Sequence, residues 1–322
     1  MPAADTLGSI GESATLARIF PLLPKASAAL LGPGDDAAVL SAPDGRFVVT
    51  TDMMIHGPDF RLAWSTPHDL GWKAAASNLS DVAAMGAVPT GLVVALAAPA
   101  DTEVSFLERF ADGLRDACAT LAPGCGVVGG DLSVSAVLTI AVTAFGDLEG
   151  RAPVLRSGAH VGDVVAVSGD LGEAAAGIGR LFAEAVVDGI PDSAAALRLR
   201  AAHPSVTAQL APAPPIADGR LAAIAGATAM LDLSDGLALD ARRVAAASGV
   251  ALDLSMDAVG SEIALTGGED HSLLATFPFE AELPSGFRAI GRVVEGHGVL
   301  VDGVEFEARG WDPYQGWNGE LG

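Results

Sequence analysis

Apolar residues recur along this chain at two periods, and the switches between them outline its elements. Leu107, Phe110, Leu114, Cys118 and Leu121 fall three or four apart, which predicts an amphipathic helix over 103–121. Thr66 suits an N-cap, with Pro67 at the first helical position and Asp69 in the first turn, so a helix is expected from there to about Met85, stopping at Gly86. Strands are expected at 36–40 and 47–51, joined by the turn Pro43-Asp44-Gly45, and at 92–97, 127–128 and 134–145, the last with near-perfect alternation. The order ββαβαββ predicts an α/β unit over residues 1–150. A second unit, 151–322, follows: a strand at 164–167, an Ala-rich helix at 172–187 and proline-interrupted pieces at 201–218. A strand at 228–233 then leads through Ser234-Asp235-Gly236 into a helix to 247, with strands at 251–254, 273–277, 287–293 and 299–301 beyond it. The expected fold class is α/β with mixed sheets, in two domains.

Charge narrows the partners. The 322 residues carry 18 Lys+Arg against 40 Asp+Glu, a formal charge of −22, which leaves no basic footprint for nucleic acid. With 50 % hydrophobic residues the chain is also not of the disordered acidic type. The longest uncharged apolar stretch, 82–100, contains Gly86, Pro89, Gly91 and Pro99 and reads as a helix end, a turn and a strand rather than a membrane span. The first residues, with an acid at Asp5, do not read as an export signal, and two cysteines do not make a disulfide framework, so a cytoplasmic protein is expected. Only Lys25 and Lys73 are lysines, and neither sits in a phosphate-cradling P-loop.

The acids are placed unevenly. Gly34-Asp35-Asp36, Thr50-Thr51-Asp52, Gly129-Gly130-Asp131 and Asp232-Leu233-Ser234-Asp235-Gly236 lie at expected strand ends, while Asn78-Leu79-Ser80-Asp81 lies inside a helix. Any one of them is ordinary turn chemistry, and Asp235 suits an N-cap. Five together suggest carboxylates that converge and need cations. Oxygen ligands without Cys or His company suit Mg²⁺, bound by a few carboxylates plus substrate phosphates. Such ions supply the charge neutralisation that phosphoryl transfer needs in a chain so poor in lysine. Gly130, the helix start after Asp235, and Arg156 are candidate phosphate contacts.

Taken in order, Gly34-Asp35-Asp36, Thr51-Asp52, Asn78 to Ala87, Gly129-Gly130-Asp131, Leu155-Arg156-Ser157-Gly158, Leu231 to Leu237, Gly267-Gly268-Glu269-Asp270 and Gly310-Trp311-Asp312 resemble the thiamine-monophosphate kinase family of the aminoimidazole ribonucleotide synthetase-like superfamily. The resemblance runs from about residue 7 to 314. It implies ATP-dependent phosphorylation of thiamine phosphate by direct transfer with several Mg²⁺ ions, in a homodimer whose N-terminal sheets join into a barrel. It further implies Asp36, Asp52, Asp81, Asp131 and Asp232 as metal ligands, Thr50 and Thr51 assisting, and Asp235 holding a further ion. Gly130, Asp131, Arg156 and Ser234 would contact ATP, and Glu269 and Trp311 would contact the thiamine moiety, Trp311 by stacking on its cationic ring.

Two positions depart from the family pattern. Asp59 stands where a substrate-contacting His is common, with His56 three residues earlier, and Ala122 and Pro123 stand where a Tyr often meets adenine. The alternatives are another enzyme of the superfamily or a catalytically silent Mg-nucleotide binder. Selenophosphate synthetase relies on an N-terminal Cys or selenocysteine near a Lys, and the hydrogenase-maturation protein ends in Cys, whereas this chain ends Glu320-Leu321-Gly322.

Overall fold

The computed structural model describes residues 4–32 and 38–307, so Asp36 and Trp311 lie outside the described residues. The chain begins with α1 (Leu7–Ile19), which no period in the sequence signals; it starts on the side-chain cap of Thr6 and bends at Gly11. Two short strands, β1 (Ala29–Leu31) and β2 (Val39–Leu40), pair antiparallel. Then come β3 (Val48–Ile55), α2 (Pro67–Ala84), β4 (Val88–Ala98), α3 (Val104–Leu121), β5 (Val127–Val134) and β6 (Thr139–Asp147). Their strands form one sheet in the order β3-β6-β4-β5, parallel only between β4 and β5.

Both long helices start and stop as their sequences predict. Thr66 and Asp69 close a reciprocal capping box at α2, worth about 1 kcal/mol, and Asp69 also accepts from Arg200 at 2.6 Å. The helices pack on one face of the sheet, where Leu92, Leu96, Ile140, Val142 and Ala144 meet Leu79, Val82, Phe110 and Leu114 in a common core. The strand expected over 134–145 is in fact two, because the chain turns at 135–138 without a Gly, Pro, Asn or Asp to mark the turn. Asp131 therefore lies inside β5; separately, β3 runs on to Ile55, so Asp52 too lies inside its strand rather than at its end.

The second sheet collects β7 (Val164–Ser168), α4 (Glu173–Glu184) following it, then the hairpin β8 (Val186–Val187) and β9 (Ile190–Pro191) to one side. The proline-rich stretch folds as short helices, α5 (Ser193–Ala202), α6 (Pro204–Leu210) and α7 (Ile216–Ile224). After β10 (Ala229–Leu233) come α8 (Leu237–Ser248), β11 (Ala251–Leu254), two short helices α9 (Met256–Val259) and α10 (Glu262–Thr266), and β12 (Ser272–Phe277), β13 (Phe287–Val294), β14 (Gly298–Val301) and β15 (Val304–Glu305). The order is β10-β12-β7-β13-β11-β14-β15, antiparallel except for β11 with β14, so the fold is mixed α/β. Helix α2 is the seam: it packs on α3 and β6 and also against α7 and β10. The first sheet stays open, with β3 and β5 as its edges, and no barrel closes among the described residues of one chain.

Candidate functional site

The seam brings three acids from distant parts of the chain together. On β3, Thr50 and Asp52 are two residues apart and share the face turned toward α2. Thr50 Oγ1 donates to Asp81 Oδ2 at 2.8 Å, and the Asp52 backbone N–H donates to Asn78 Oδ1 at 3.1 Å. Asn78 and Asp81 are three apart on α2, so one helix face serves both contacts. Ser80, wholly buried, donates to Asp232 Oδ2 at 3.2 Å from β10. His271 lies on the other side of Asp232, with Nδ1 3.3 Å from the same oxygen.

These acids are held against their chemistry. Loss of water pushes the Asp81 carboxyl up to about 7, and the charges of Asp232 and Asp52 add to that, with the Thr50 hydrogen bond opposing. Asp52 is also raised, first by loss of water and then, with His271 opposing, by Asp232, Glu269 and Asp235. Burial lowers the pKa of His271, but its hydrogen bond to Asp232 and the surrounding acids outweigh burial, so the ring is raised toward the cationic form. Asp52, Asp81 and Asp232 therefore repel one another with His271 as their neighbouring compensating group. Among the described residues no three acidic, His or Cys side chains already close on one point as a ready-made ion cage.

Two turns earlier on α2 the balance is different. Lys73, Ser77 and Asp81 stand at i, i+4 and i+8 on one side of the helix, and Lys73 is buried. Its ammonium pairs with Glu269 Oε2 and donates to the Gln209 carbonyl at 3.3 Å, while Gln209 Nε2 donates to the same Glu269 oxygen at 3.2 Å. Burial pushes the Glu269 carboxyl up, but Lys73, His271 and Gln209 pull it further down, below its ordinary value. Asp59 feels both members of this pair; burial raises its carboxyl, although Ile55 N–H donates to it at 2.6 Å. His56 faces elsewhere, into a cavity of about 410 Å³ lined also by Pro67, Pro99, Arg109 and Leu138. Between the two candidates at the family's His position, Asp59 is the one on the Glu269 side.

The two glycine-rich motifs are one feature. Gly236 has φ +113°, and a Cβ there would come within 2.7 Å of the Thr266 carbonyl; a Cβ on Gly268 would come within 2.5 Å of the Ser234 carbonyl. The turn after β10 thus lies backbone to backbone on the Gly267-Gly268-Glu269 loop, tied by Glu269 N–H to the Ser234 carbonyl at 2.8 Å. Glu269 and His271 both take left-handed backbone, φ +71° and +53°, a strained conformation found at functional sites. Asp235 is not the N-cap of α8; Gly236 holds that position, and the Asp235 carboxylate pairs with Arg243 at 2.6 Å. Asp270 instead caps α4, accepting from Gly172 and Ala174 N–H at 2.5 and 2.8 Å.

Other expected site residues stand apart from this cluster. The Thr51 side chain is on the opposite face of β3 from Asp52 and bonds the Val142 carbonyl at 2.9 Å. Gly130 and Asp131 are exposed on edge strand β5, three strands from β3, beside a largely apolar cavity of about 590 Å³ lined by Phe20, Phe110, Leu114 and Val128. Neither Ala122 nor Pro123 lines it. Arg156 is exposed, its backbone carbonyl accepting from Ser248 Oγ at 3.0 Å. The sequence pattern gives Lys73, Gln209 and His271 no place in the site. The usable signals were a lone lysine eight residues before Asp81 on one helix face, and a histidine directly after Gly-Gly-Glu-Asp.

Residues 34–148 match the family model described as AIR synthase related protein, N-terminal domain. The chain is 44 % identical to a thiamine-monophosphate kinase of Mycobacterium tuberculosis over 332 aligned positions, covering 98 % of this chain and 93 % of that one. It is similar to the solved structure of AaThiL complexed with AMPPCP and TMP, at 36 % identity and TM-score 0.72, covering 86 % of this chain and 90 % of that one. It is likewise similar to thiamine-monophosphate kinase from Stenotrophomonas maltophilia, at 30 % identity and TM-score 0.74, covering 91 % and 95 %. No helix among the described residues is long and apolar enough to cross a membrane. On these matches the chain belongs to the thiamine-monophosphate kinase family.

Proposed function

We propose that this chain transfers the terminal phosphoryl group of ATP to thiamine phosphate, giving thiamine diphosphate and ADP. A phosphate oxygen of thiamine phosphate attacks the γ-phosphorus in line as the bond to the ADP oxygen breaks, with no covalent enzyme intermediate. The observation that carries this reading is the gathering of Asp52, Asp81 and Asp232 from β3, α2 and β10, where burial first and the neighbouring acids second push the Asp81 carboxyl up to about 7. An all-oxygen set without lysine or arginine at its centre suits hard cations that also take ligands from substrate phosphates, which is why it need not be a closed cage beforehand. Mg²⁺, when bound, neutralises the charge that builds up between two anionic substrates.

Asp36, Asp52, Asp81, Asp131 and Asp232 are the proposed ligands, with Thr50 and Thr51 assisting and Asp235 holding a further ion once its pairing with Arg243 yields. Thr50 and Asn78 hold Asp81 and the β3 backbone in position, and the Ser80 hydroxyl with His271 orients Asp232. Gly130, Asp131, Arg156 and Ser234 are the proposed nucleotide contacts. The apolar cavity beside Gly130 and Asp131 offers the base the surface that an aromatic side chain at Ala122 or Pro123 would otherwise supply. Asp59, Glu269 and Trp311 are the proposed contacts of the thiamine moiety.

Residues 1–150 would form the ATP, Mg²⁺ and dimerisation domain, and 151–322 would complete the substrate site. The open edges of the first sheet and the exposed Val49 and Met53, on its face away from α2, favour a homodimer in which a second copy completes a barrel. The reading predicts a cytoplasmic enzyme. Its test is to supply ATP, Mg²⁺ and thiamine phosphate and follow thiamine diphosphate and ADP by chromatography, with unphosphorylated thiamine as the control acceptor. The expected outcome is one ADP per thiamine diphosphate and no product from thiamine; ADP release without thiamine diphosphate would overturn it.

A further inference from the structure

We propose that Lys73, working with Gln209, is a positioning residue for substrate recognition: the two saturate Oε2 of Glu269 and so hold its carboxylate as a fixed, ionised acceptor for an N–H or cationic group of the acceptor substrate. The inference rests on the reading that Glu269 meets the thiamine moiety.

The cluster has the form of a support for one carboxylate. Lys73 is 5 % exposed, and an ammonium in that position is costly unless its donors are used. The partners it has are Glu269 Oε2 and the Gln209 carbonyl. The Gln209 amide adds a second hydrogen bond to the same oxygen, and this fixes which way the amide lies, since turning it would set oxygen against carboxylate. The cost is visible: among the described residues, Gln209 Oε1 is buried with no partner. An unpaired amide oxygen is tolerated where the amide nitrogen is needed more.

Glu269 itself is only half committed. Among the described residues Lys73 and Gln209 both donate to Oε2, no hydrogen bond to Oε1 is formed, and the side chain keeps 37 % of its surface exposed. Its left-handed backbone and the hydrogen bond from its N–H to the Ser234 carbonyl fix where the carboxylate starts from. The groups around it are Lys73 from α2, Gln209 from α6, Asp59 from the turn after β3, Asp52 from β3, and His271 with Asp232 behind it. An acceptor with one oxygen anchored and one free, on the acidic side of a site for anionic phosphates, suits the non-phosphate part of thiamine phosphate, which offers amine N–H donors on its pyrimidine ring and a fixed positive charge on its thiazolium ring. It does not suit a second phosphate.

The test is a double-mutant cycle on KM and kcat. Lys73→Met is expected to raise KM for thiamine phosphate at least ~10-fold while kcat and KM for ATP stay within about 2-fold, the pattern of a lost binding interaction. Glu269→Gln should do the same. The double variant removes both charges together, leaves neither unpaired, and so stays folded even if Lys73→Met alone does not. Because Lys73 acts through Glu269, its KM should match that of Glu269→Gln within about 2-fold. A further 10-fold loss in the double variant, or equal loss for ATP and thiamine phosphate, overturns the positioning role. A wild-type protein that neither binds nor phosphorylates thiamine phosphate overturns the kinase reading, and this inference with it.

Discussion

One helix carries two ionic regions with opposite bookkeeping. At Lys73 the fold supplies its own cation: the ammonium is buried, the Glu269 carboxyl is pulled below its ordinary value, and Gln209 completes the contact. Two turns on, at Asp81, the fold gathers Asp52, Asp81 and Asp232 and pushes Asp81 up to about 7. A protein selecting only for stability would treat both alike. On the proposed reading the difference has a purpose: the Asp81 end takes its cations from outside as metal ions, whereas the Lys73 end carries a cation of its own and needs no metal ion.

The largest expected effect is on turnover. Asp81→Asn and Asp232→Asn should each lower kcat about 10³-fold, the loss of several kcal/mol of charge stabilisation, in a chain whose circular dichroism is unchanged. Steady-state rates at saturating ATP and Mg²⁺ check this, and a rate within a few-fold of wild type removes Asp81 from the metal site.

Stability should respond with opposite sign at the two ends. Lys73→Met should cost about 2 kcal/mol, below the ~3–5 of a fully buried pair because Glu269 stays partly exposed. Asp81→Asn should instead stabilise the metal-free protein by about 1–2 kcal/mol at pH 8, since it removes a carboxylate that the folded state disfavours. Urea unfolding in chelator measures both, and equal signs would erase the contrast.

The pH dependence follows from the same group. A carboxyl whose folded pKa is raised from 3.8 to about 7 favours folding when protonated, so its contribution is fully present below about pH 4 and is lost as pH rises through about 7. The wild type in chelator should therefore lose stability relative to Asp81→Asn between pH 5 and 8, by about 1–2 kcal/mol. Parallel curves would contradict the raised pKa. The smallest effect is at the chain's far end: Trp311→Ala should raise KM for thiamine phosphate about 10-fold, and KM for ATP less, by loss of cation–π stacking.

Much of this arrangement is legible in the sequence. Asp81, Asp232 and Glu269 were recognisable because each sits in a motif whose glycines and serines have their own structural jobs, as the contact of Gly236 and Gly268 with the opposing backbone explains. Thr66 announced α2 through cap chemistry that is local in sequence. The role of Lys73 is not local: no motif in its sequence neighbourhood marks it, and its partners lie 136 and 196 residues away. The Gly-Gly-Asp motif marks Asp131 in the sequence, whereas its place on β5, at the opposite edge of the sheet from β3, follows from strand order, which is not written in periodicity. The break between β5 and β6 is hidden because Ser135-Ala136-Val137-Leu138 carries no Gly, Pro, Asn or Asp to mark a turn.

The central claim is that the Asp81 end of α2 holds cations for phosphoryl transfer. Its most direct measurement is thiamine diphosphate formation against Mg²⁺ concentration for wild type and Asp81→Asn. Wild-type turnover should rise with Mg²⁺, vanish in excess chelator and return when Mg²⁺ is restored, with Asp81→Asn failing to recover at any concentration. Turnover that survives the chelator, or an Asp81→Asn curve that overlays wild type, would contradict the account.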